Sequence, residues 1–169
     1  LYFKEKNYEK CLENAKKSAE IFPIKIETYM LISESYLNLK NEEECLKYYD
    51  IGEKNAKVNY FFLISWGISL KEFGHFEAAK EKFQKAIDLE PENDLALANL
   101  GMTYYKTEEF EIAIEILSKV LSINPQNIFA LETLGDICYK KCDYDNAVKY
   151  FEQVLKISAK AINCYKKIA

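Results

Sequence analysis

The sequence predicts an all-α chain, a solenoid of antiparallel helix pairs in which like units follow one another every 34 residues. Three observations carry that prediction. Pro91 and Pro125 stand 34 residues apart, and the same step joins Gly67, Gly101 and Gly135. Within a unit, Leu97, Leu100, Gly101 and Tyr104 fall on one face of a helix, and Phe110, Ala113, Ile114, Leu117 and Leu121 mark a second such face. Only 5 glycines and 3 prolines punctuate 169 residues, too few for a loop-rich chain.

The units follow in order along one array spanning residues 1–169. Residues 1–25 hold part of a repeat, mainly its second helix, with Tyr8, Cys11 and Pro23 in register. Residues 26–59 form a divergent unit. Tyr29, Ile32 and Tyr36 are in place, but Ser33 replaces the glycine, Cys45 and Tyr49 stand at the Ala and Phe places, and Lys57 replaces the proline. Residues 60–93 carry Leu63, Trp66, Gly67 and Leu70, a turn at Gly74, then Ala79, Phe83 and Pro91. In residues 94–127 the two helical faces are separated by the polar turn Lys106-Thr107-Glu108. Asn124-Pro125-Gln126-Asn127 ends the second face, because proline cannot continue a helix. Residues 128–161 repeat the pattern with Leu131, Leu134, Gly135, Ala147 and Phe151, although Ala159 replaces the proline. Residues 162–169 open a further repeat or a capping helix, with Tyr165, Ile168 and Ala169 in register. The glycines are expected to face Ala79, Ala113 and Ala147, where missing side chains let two helices approach closely and the neighbouring Phe or Leu fills the gap beyond. Leu1, Tyr2 and Phe3 make no polar cap, so the native protein is expected to continue at one or both ends, or a partner to cover this end.

These columns resemble the tetratricopeptide repeat family, whose pattern is W-x2-L-G-x2-Y, then A-x3-F, then P. Leu97-x2-Leu100-Gly101-x2-Tyr104 with Ala113-x3-Leu117 and Pro125 matches it. So does Leu63-x2-Trp66-Gly67-x2-Leu70 with Ala79-x3-Phe83 and Pro91. The resemblance implies a right-handed α-solenoid whose first helices line a concave groove that holds an extended or helical peptide. On those columns it assigns Phe61, Ile64, Ile68, Asn99, Met102, Tyr105, Lys106, Phe129, Tyr139 and Lys140 to the groove. The apolar and aromatic members would receive anchors, Asn99 would pair with a peptide backbone, and Lys106 and Lys140 would form a basic rim. An alternative reading has Phe61, Leu95 and Phe129 packing between adjacent units. One branch of the family clamps chaperone C-termini with Lys, Asn and Arg on these columns. Met30, Glu34, Ile68, Ala98, Met102 and Glu132 occupy those places here and only Asn99 fits, so that use is not expected.

Composition excludes other classes. The net charge is -4, and all 23 basic residues are lysines. Without arginine there is no bidentate fork for phosphate or guanine, so nucleic-acid binding is not expected. No apolar run is long enough to cross a membrane. The 5 cysteines include no CxxC pair. Cys138 and Cys142 share one helical face, but zinc takes about four ligands and His75 is the only histidine, so no metal or other cofactor is expected. The cysteines read as small buried thiols in a reducing, cytoplasmic setting. His75 reads as an exposed turn residue, Glu42-Glu43-Glu44 as an acidic helix start, and Trp66 as packing. No catalytic residues are expected and the chain is not read as an enzyme. It reads as a scaffold binding a protein or peptide partner. The alternatives are a self-associating assembly subunit, joined through exposed ends or the divergent unit, and the regulatory repeat region of a larger enzyme.

Overall fold

The structure is a computed structural model that describes residues 8–158. The expectations for Leu1, Tyr2, Phe3, Ala159, Tyr165, Ile168 and Ala169 lie outside the described residues. Nine α-helices run through them: α1 (Tyr8–Ile21), α2 (Ile26–Asn38), α3 (Glu42–Asn55), α4 (Tyr60–Glu72), α5 (Phe76–Leu89), α6 (Asp94–Lys106), α7 (Phe110–Ile123), α8 (Ile128–Lys140) and α9 (Tyr144–Ile157). The chain divides into two compact units, residues 1–91 and 92–169. In the first, α1 packs on α2, α2 on α3 and α4 on α5, with α2 and α3 also against α4. In the second, α6 packs on α7 and α8 on α9, while α6 and α7 both meet α8. The fold class is all-α, built of successive antiparallel pairs.

Local chemistry starts and stops each helix. Asn59, Asn93 and Asn127 cap the first helices, their side chains accepting from the backbone N–H of Phe62 at 2.9 Å, Ala96 at 2.9 Å and Ala130 at 3.1 Å. Lys25, at the same place before α2, makes no such bond. The turn inside each pair is also repeated. Lys40, Gly74, Glu108 and Cys142 take the left-handed conformation, with φ of 55°, 87°, 63° and 61°. The N–H of the next residue donates back across the turn, Asn41 to Tyr36, His75 to Leu70, Glu109 to Tyr104 and Asp143 to Cys138, all at 2.9 Å. This is a Schellman closure at one place in every pair. Only Gly74 meets it without a Cβ penalty.

The helix contact at the glycine column corrects the expected pairing. A Cβ added at Gly67 would lie 2.6 Å from the Phe83 ring, at Gly101 2.7 Å from Leu117, and at Gly135 2.5 Å from the Phe151 ring. The glycines therefore face the Phe or Leu place directly, not Ala79, Ala113 or Ala147. A large side chain lies flat on bare backbone, and the alanines bury separately at 0%, 0% and 2% exposure. The divergent unit solves the same place differently. Ser33 is fully buried, with no hydrogen-bond partner for its Oγ among the described residues. Tyr49 turns to Trp66, stacking at 5.5 Å, and its hydroxyl bonds Ser65 at 2.7 Å and Ser69 at 3.2 Å.

Candidate protein-interaction surfaces

The side chains assigned to the groove fall into both compact units, and each group is described within its own. In residues 1–91, Phe61 is 54% exposed and Ile68 half-buried. Ile64 is 2% exposed, so it is core and not lining. The helical period carries it to the buried side of α4, next in line with Leu63 and Trp66.

In residues 92–169, α6 and α8 lie side by side and bring several of the assigned residues together. Lys140 on α8 holds its ammonium 5.1 Å from the Tyr105 ring and 5.4 Å from the Phe110 ring, and 3.5 Å from the Glu108 carboxylate. Tyr139 is half exposed and meets Tyr144 edge-on at 5.6 Å. Met102 and Tyr105 are half-buried, and Lys106 is exposed. Asn99 needs correction: it is buried, and its amide donates to the Leu95 carbonyl of its own helix at 2.9 Å. Phe61, Leu95 and Phe129 are 54%, 42% and 58% exposed, which overturns the alternative that they pack between units. Each stands in the first turn of its helix, beyond the end of the packed face.

The remaining chemistry is structural or solvated. His75 Nε2 and the Glu42 carboxylate lie 2.6 Å apart at an exposed turn. Trp66 is buried, with the Lys82 ammonium 3.2 Å above its ring and Glu53 3.2 Å from that ammonium. Partial burial draws the Lys82 pKa down, against the pull of Glu53. Cys11 and Cys45 are buried, and burial pushes the Cys45 thiol up to about 11. Cys138 and Cys142 correct the picture of buried thiols: Cys138 is half-buried, and Cys142, at the left-handed turn position, is exposed. Cys164 lies outside the described residues. No group of His, Cys, Asp and Glu among the described residues is placed to hold a metal ion, and no helix among them is long and apolar enough to cross a membrane.

Sequence reasoning passed over one surface. At the turn from α1 to α2, Ile21 is 68%, Phe22 51% and Ile24 75% exposed, and the Lys25 ammonium lies 4.9 Å from the Phe22 ring. Behind this turn a pocket of 340 Å³ opens between α1 and α3. The signal was present in the 34-residue register, since the equivalent turns read Glu90-Pro91-Glu92-Asn93 and Asn124-Pro125-Gln126-Asn127.

Helix pairs in strict register, with aromatic and lysine side chains on their free faces, define a helical-repeat protein. The tetratricopeptide repeat matches the sequence at residues 26–50, 70–137 and 128–160, and the chain belongs to the tetratricopeptide repeat family. Among solved structures it is similar to MamA, with 23% identity over 96% of this chain and 95% of that one and a TM-score of 0.79. It is similar to PilF of Pseudomonas aeruginosa, with 19% identity over 99% and 82% and a TM-score of 0.83. A third is YrrB, described as a TPR protein with an unusual peptide-binding site, with 16% identity over 98% and 86% and a TM-score of 0.76. No match was found among functionally curated proteins.

Proposed function

We propose that the chain is a protein–protein interaction scaffold that holds an extended or helical segment of a partner against its first helices, chiefly α6 and α8. Membership of the repeat family supports the scaffold. The arrangement of Tyr105, Tyr139 and Lys140 supports the surface. Tyrosine rings with polar tips, one of them, Tyr105, with the Lys140 ammonium 5.1 Å from its centre, combine apolar area with hydrogen-bonding capacity, as anchoring sites do. The peptide-binding site described for YrrB is consistent with this use of the fold. In this reading the chain works without catalysis of its own, away from nucleic acid, and in a reducing compartment such as the cytoplasm.

The test is capture from native lysate with the wild-type chain and a Met102→Ala/Tyr105→Ala/Tyr139→Ala variant side by side. A partner retained by the first and lost by the second, with unchanged helicity, is the expected result. Identical captures would remove α6 and α8 as the binding face.

A further inference from the structure

We draw no further inference here: the strongest candidate, the exposed apolar turn of Phe22 and Ile24 between α1 and α2 with the open hollow beside it, carries nothing, because Lys16 and Glu20 balance in charge along that hollow and nothing in the structure shows what covers the turn.

Discussion

Gly135 shows how one atom sets the distance between two helices. The Phe151 ring fills the space where its Cβ would be, and Phe151 is 1% exposed with no room to retreat. Gly135→Ala should therefore destabilise by about 1–3 kcal/mol, read from the urea midpoint; an unchanged midpoint would mean the ring moves freely. Ser33 is the converse case. Its buried hydroxyl has no partner among the described residues, so Ser33→Ala should stabilise by roughly 1 kcal/mol in the same assay. Cys45 ties stability to alkaline pH. Burial raises its thiol from 9.0 to about 11, so the folded state holds the proton more tightly than the unfolded chain. That contribution is full below pH 9 and is lost as pH rises toward 11. Cys45→Ala should flatten part of the alkaline loss of stability. Tyr49, raised mainly by burial, adds a loss of the same sign at higher pH.

Each helix is delimited by its own neighbours in sequence. Asn59, Asn93 and Asn127 close the starts, and the Schellman turn closes the ends of the first helices. Asn93→Ala should cost about 1 kcal/mol, measured by thermal or urea unfolding, because the Ala96 N–H loses its acceptor. The turn prediction has the opposite sign. Glu108 sits at φ 63°, where Gly74 sits at 87° in the equivalent turn. Glu108→Gly relieves a Cβ clash worth about 1 kcal/mol, less the extra freedom it gives the unfolded chain. The urea midpoint should stay level or rise; a clear fall would show that the Glu108–Lys140 contact at 3.5 Å outweighs the relieved clash.

At the scale of the molecule, stability is local because within each compact unit a helix pair meets only its neighbours. The residues of the second unit gather on Leu131, Ala147, Phe151 and Val154, and the first has its own core on Tyr49, Phe62 and Trp66. Hydrogen exchange on Gly135→Ala should accelerate in α8 and α9 first and leave α2 and α3 near their wild-type rates. Uniform acceleration would show one cooperative body. The helices, their pairing and most of the buried columns were legible beforehand, since period and punctuation carry them. The proposed binding face was only half legible. Ile64 and Asn99 sit on columns that face outward in a generic repeat, yet both are buried here, and the exposed turn at 22–25 is visible only by asking where the repeat departs from itself.

What the sequence determined by itself is the register. A 34-residue spacing of glycine, alanine, aromatic and proline columns dictates where helices start and stop, because caps, turns and apolar faces are all local in the chain. What the tertiary structure decided is which side chain meets which. Phe83, Leu117 and Phe151 cover the glycines, Tyr49 crosses to Trp66, Asn99 bonds back to its own helix, and Phe22 and Ile24 stay in solvent. Those outcomes depend on the packing of a neighbouring helix, and helical period fixes a side chain's direction without saying what it will touch.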